Sequence, residues 1–138
     1  MNQRGFATLE VILMVMVIGI LASIAVPRFG NITAEANTAK IQADLSTIDT
    51  AIDIYNMSNT TPPSKVSDLK EYLRDAGDIQ PPTGKCYVNE KDDPQPIPSG
   101  GYQITTLTGE SSLRATLGGK TAGYYTKKTT TGGTTDGE

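Results

Sequence analysis

Histidine is absent from this 138-residue sequence, and cysteine occurs once, at Cys86. Without histidine there is no His-based catalytic triad, and one thiol permits neither a zinc finger nor an intrachain disulfide. The length excludes a multidomain enzyme and allows only a modest core. Positive charge also has a gap, because no Lys or Arg stands between Arg4 and Arg28. Hydrophobic residues fill that gap. The chain as a whole is 37% hydrophobic and 20% charged, which averages to an ordinary soluble domain. The average conceals two populations. Of 51 hydrophobic residues, 17 fall in the 21 positions 6–26, and 33 are spread over the 112 positions from Pro27 onward.

From Val11 to Val26 the only polar side chain is Ser23. As a helix, the 21 residues from Phe6 span roughly 30 Å, enough to cross the hydrocarbon core of a bilayer. Arg4 and the amino terminus supply the positive flank that stays cytoplasmic. A secretory signal peptide is one reading, since Ser23-Ile24-Ala25 has the small-x-small spacing of a cleavage site. Glu10 opposes it. A carboxylate inside an apolar helix costs about 2.5–3.5 kcal/mol at the bilayer centre and less near an end. A signal peptide has no use for such a group, and a charge so placed implies a neutralising partner. That partner is the chain's own amino terminus or another molecule, because the segment contains no basic residue.

Gly5-Phe6-Ala7-Thr8-Leu9-Glu10 resembles the prepilin motif of type IV pilins and type II secretion pseudopilins. That motif is a short basic leader ending in Gly, a methylatable Phe, a Glu five residues after the Gly, and a continuous apolar helix. The resemblance covers about the first 30 residues and continues more loosely to Tyr55. It implies that a membrane prepilin peptidase cuts between Gly5 and Phe6 and N-methylates Phe6. It further implies that the apolar helix serves first as a membrane anchor and then as the core of a filament. Glu10 then pairs with the freed amino terminus at Phe6 of a neighbouring copy. Burying an unpaired carboxylate is costly, so this residue sets register and docking rather than adding net stability.

Gly19 and Pro27 stand where the family has helix-weakening residues. Independently of any family, Pro27 cannot donate to the carbonyl of Ser23 and costs roughly 3 kcal/mol inside a helix, and Gly19 about 1 kcal/mol. The stretch between them is the weakest part of the helix, where it kinks or melts in a filament. The alternative is that Gly19 and Ser23 form a small-residue packing face and Pro27 merely bends the membrane exit.

Beyond Pro27 the pattern becomes amphipathic. Ala34, Thr38, Ile41, Leu45, Ile48, Ile52 and Tyr55 recur at spacings of four and three, while Lys40, Asp44, Asp49 and Asp53 fall off this stripe. The stripe predicts burial against the rest of the chain. Pro62-Pro63 ends the helix. Ser67 is expected to cap a short helix over 68–76, closed by Gly77. Strands are expected at Cys86–Asn89, Tyr102–Leu107, Leu113–Leu117 and Gly123–Thr126, with the middle two paired as a hairpin.

Candidate chemistry in this half is thin. Asn89, Glu90, Asp92 and Asp93 offer oxygen ligands, as do Asp136 and Glu138, but no calcium-loop consensus is present. Some major pseudopilins hold calcium in this half, so Asp92 and Asp93 are weak candidates beside a solvated acidic loop. Lys127-Lys128 is too small a basic patch, on a chain of formal net charge -3, to signal nucleic acid. The sequons at Asn31, Asn56 and Asn59 read as chance in a Thr- and Asn-rich chain. Cys86 reads as a small buried hydrophobe or, alternatively, an intersubunit bridge.

The expected fold is α+β, with a long kinked N-terminal helix and a small antiparallel-sheet head. Its segments are a leader at 1–5, a helix at 6–57 (6–26 transmembrane, 27–57 amphipathic), a head at 58–128 and a flexible tail at 129–138. No enzymatic role and no cofactor are expected. The resemblance implies a structural subunit of a pilus-like helical filament. The alternative is the major pseudopilin of a type II secretion-like system, or a competence pilus for DNA uptake. Implied partners are further copies of the chain, the prepilin peptidase, an inner-membrane assembly platform, minor pilins and, before assembly, membrane lipid. The implied location is the bacterial inner membrane in a single pass, and afterwards an extracellular or envelope-spanning filament.

Overall fold

The computed structural model describes residues 3–129. Residues 1–2 of the expected leader and 130–138 of the expected tail, including Asp136 and Glu138, lie outside the described residues. One helix, α1 (Gln3–Ser58), is followed by a 3-10 turn (Val66–Leu69) and four short strands. These are β1 (Lys85–Cys86), β2 (Gln95–Pro96), β3 (Tyr102–Thr106) and β4 (Leu113–Leu117), with a last 3-10 turn at Ala122–Tyr124. The fold is α+β and pilin-like, one long N-terminal helix with small antiparallel sheets. By its contacts the chain divides into two units, Met1–Thr33 and Ala34–Glu138.

The described residues of the first unit are helix alone. Its side chains from Phe6 to Ile24 are exposed, Phe6 at 76%, so the apolar surface is uncovered all the way round. The two hydroxyls between Phe6 and Val26 are satisfied within the helix. Thr8 donates to the carbonyl of Arg4 at 2.9 Å, and Ser23 to that of Ile20 at 2.7 Å. Such back-bonding lets a hydroxyl enter a medium without water.

The second unit has a core, and the stripe of α1 forms one wall of it. Ala34, Thr38, Ile41, Leu45, Ile48 and Ile52 are buried, Tyr55 is partly buried, and Ala51 joins them. Across from them lie Val66, Leu69, Cys86, Val88, Tyr102, Ala115, Leu117 and Tyr125. β3 and β4 form the expected hairpin, in the register Tyr102↔Leu117 through Thr106↔Leu113. β1 and β2 make a separate two-residue antiparallel pair, Lys85↔Pro96 and Cys86↔Gln95.

Three local expectations fail. The helix expected over 68–76 is instead a 3-10 turn at Val66–Leu69 followed by hydrogen-bonded turns. The reason lies at Asp68, whose carboxylate accepts from the Ser64 and Lys65 amides and the Ser64 hydroxyl, each at 3.0 Å. That knot fixes a tight turn before a helix can start, and the donors hold the Asp68 carboxyl below its usual range. The strand expected at Cys86–Asn89 begins and ends earlier, at Lys85–Cys86. Gly123–Thr126 forms no strand, because the chain there is wound into the Ala122–Tyr124 turn.

Candidate assembly site

Gly5, Phe6, Glu10, Gly19 and Pro27 all lie within the single helical range Gln3–Ser58. Phe6 and Glu10 are four residues apart and therefore share one face, both exposed. None of the ion pairs among the described residues involves Glu10. A Cβ added at Gly5 or Gly19 meets nothing within 4 Å. Neither glycine is therefore demanded by packing within the chain itself. The helix is long and apolar enough to cross a membrane, and none of its most apolar window is buried.

The head is held to its stretch of α1 by polar side chains as well as by the stripe. Asp49 Oδ1 accepts the Ala115 amide at 2.6 Å, and its Oδ2 accepts Arg114 Nε at 3.2 Å and Nη2 at 3.1 Å. The bonded carboxylate raises the pKa of the Arg114 guanidinium further. Asp44 Oδ2 accepts the Tyr102 hydroxyl at 2.7 Å and also pairs with Lys40. Burial first, and Asp44 second, push the Tyr102 hydroxyl well above its usual range. Nearly two turns back toward the N-terminus of α1, Thr38 Oγ1 accepts the Tyr87 amide at 2.7 Å and donates to the carbonyl of Ala34. Asn37 Nδ2 donates to the carbonyls of Thr83 and Lys85 at 3.1 and 3.0 Å.

These anchors were missed by reasoning from periodicity, which set Asp44 and Asp49 aside as lying off the stripe. A signal was nevertheless present, because Asp is a poor residue for a helix interior and occurs there three times between Asp44 and Asp53.

The remaining candidates divide plainly. Asp92 and Asp93 are exposed, and Lys128 Nζ stands 3.2 Å from the Asp92 carboxylate. Among the described residues no three His, Cys, Asp or Glu side chains converge as a metal site requires. Lys127 lies 3.5 Å from Glu35 and sits over the Tyr87 ring at 5.3 Å. Both lysines therefore face internal partners. Cys86 is fully buried, and burial pushes its thiol upward in pKa.

The described residues thus combine an uncovered apolar helix with a small α+β head. In sequence the chain is similar to type II secretion pseudopilins, and these relatives support the pilin and pseudopilin family. It is 32% identical to the type II secretion system core protein G of Klebsiella pneumoniae over 101 residues, 73% of this chain and 64% of that protein. It is 33% identical to the protein of the same name from Escherichia coli K12 over 89 residues, 64% of this chain and 60% of that one. A third, from Klebsiella michiganensis, is 28% identical over 108 residues, 76% of this chain and 75% of that protein. No family model matches the chain, and no solved structure matches it significantly.

Proposed function

We propose that this chain is a pseudopilin-type structural subunit, working in a type II secretion-like export system rather than as an enzyme or a surface adhesin. The observation that carries this is the name shared by the relatives, type II secretion system core protein G. It favours the export role over the surface pilus and the competence pilus. In this reading residues 1–5 are a leader removed by a prepilin peptidase, and Phe6 becomes the N-methylated amino terminus. Residues 6–26 hold the subunit in the inner membrane until it joins the filament, with 27–57 and 58–128 as its amphipathic half and head. On assembly Glu10 meets the Phe6 amino group of a neighbouring copy, and Gly19 and Pro27 let the helix between them yield. Other copies, an inner-membrane platform and minor subunits are the partners. The supporting physics is the exposed apolar run, which has lipid or other helices as its only stable surroundings.

The mass of the mature protein tests this. Loss of Met1–Gly5 with one added methyl on Phe6 is expected. Cleavage after Ala25 instead would return the chain to the class of secreted proteins and overturn the proposal.

A further inference from the structure

The peptide bond between Gly5 and Phe6 lies inside the helical range Gln3–Ser58. In a helix the Gly5 carbonyl accepts the Leu9 amide, and the Arg4 carbonyl accepts the Thr8 amide. A protein that grips a chain in extended form does so through free N–H and C=O groups, and here the helix has already taken them. Hydrolysis of this bond therefore requires one turn, about residues 4–8, to open first.

Thr8 makes that turn easier to open. Its hydroxyl donates to the Arg4 carbonyl at 2.9 Å, across Gly5-Phe6-Ala7, and so shares the acceptor that its own amide uses. Back-bonding of this kind weakens and bends a helix. Threonine also has a low helix preference, and glycine a lower one still. Gly5 and Thr8 thus stand on the two sides of the Gly5–Phe6 bond as its loosening residues. A Cβ at Gly5 meets nothing within 4 Å, and the side chains of Ala7 and Thr8 are exposed. Substitutions here therefore leave the head undisturbed.

We propose that Thr8 is a positioning residue for removal of the leader, acting by loosening the turn that holds the Gly5–Phe6 bond. The inference rests on the reading of residues 1–5 as a leader. Once the turn is open, water adds to the Gly5 carbonyl carbon and the bond from that carbon to the Phe6 nitrogen breaks. Gly5 leaves as a carboxylate, and the Phe6 nitrogen takes up both of the water's protons as an ammonium. Thr8 touches none of these atoms. Only chains with the turn open can be gripped, so kcat/KM follows the open fraction.

The test uses full-length precursor, purified in detergent micelles from a host without the peptidase and then mixed with purified peptidase. Release of the leader is followed by mass. Thr8→Ala removes the back-bond and raises helix preference, and should lower kcat/KM about threefold. Ala7→Gly should raise it about fivefold, and placed in the Thr8→Ala chain should restore at least the unsubstituted rate. Amide exchange at residues 5–9 of the uncut precursors should follow the same order, with the melting temperature of the head unchanged. If Ala7→Gly slows cleavage as Thr8→Ala does, or the double variant is no faster than Thr8→Ala, the side chains themselves are recognised and the inference is overturned. An unchanged rate for Thr8→Ala, or exchange that does not follow the rates, overturns it as well. An unsubstituted precursor that is not cut between Gly5 and Phe6 overturns the leader reading itself.

Discussion

Asp49 grips Arg114 and, through its other oxygen, the next amide of the strand, so that one helical carboxylate fixes the position of β4. Asp49→Ala leaves the Ala115 amide and the guanidinium without this acceptor, and the expected loss is about 1–3 kcal/mol. Asp49→Asn keeps an acceptor for the amide and should lose less. Urea denaturation of the two variants checks the order, and equal losses would show that charge alone matters.

Thr38 makes a cleaner case, because it is buried and its hydroxyl is the acceptor for the Tyr87 amide. Thr38→Val preserves shape and removes that acceptor. The amide is then buried without a partner, at a cost of about 1–3 kcal/mol. Thr38→Ser, which keeps the hydroxyl, should recover most of the loss in the same denaturation experiment.

Tyr125 sets an alkaline limit. Its ring is buried, its hydroxyl donates to the carbonyl of Leu117, and burial pushes its pKa from 10.0 up to about 12. In the unfolded chain the phenol ionises first, so the folded state holds more protons between those two values. Stability is therefore whole below pH 10 and falls as the pH rises toward 12, by about 1.4 kcal/mol per unit for each such tyrosine. Tyr102, shifted the same way, steepens the fall. Denaturation midpoints followed alongside phenolate absorbance check this, and Tyr125→Phe should flatten the slope while lowering the plateau.

Gly5 carries a different kind of prediction. A Cβ there meets nothing, so Gly5→Leu leaves the fold of the chain undisturbed. If the peptidase needs a small residue before the cut, Gly5→Leu accumulates in the membrane at full length. Immunoblots of membrane fractions read this directly, and normal cleavage would shift the recognition to Phe6 and the apolar run.

The stripe from Ala34 to Ile52 was legible because a helix that buries one side must repeat at its own pitch. The β3–β4 hairpin was legible because five-residue strands are long enough to alternate. β1 and β2 were not, since two-residue strands carry no period, and Pro96 argues against any strand at all. Asp68 hid the failed helix, because acidic residues near a helix start usually favour one, and here the carboxylate turned back on Ser64 and Lys65. At the candidate site Gly5, Phe6 and Glu10 were marked by motif spacing. The polar anchors Asn37, Thr38, Asp44 and Asp49 depended on which loop or strand met each turn of α1, information that no local pattern holds.

Those anchors give the head a mechanical character. Asn37, Thr38, Asp44 and Asp49 are distributed over more than three turns of α1, and each grips a loop or strand from elsewhere in the head. Tension drawn along the helix reaches those segments as shear, loading several bonds at once rather than peeling them in turn. With no internal disulfide to limit slippage, the resistance of this head to being dragged rests on how many of those bonds share the load at the same instant.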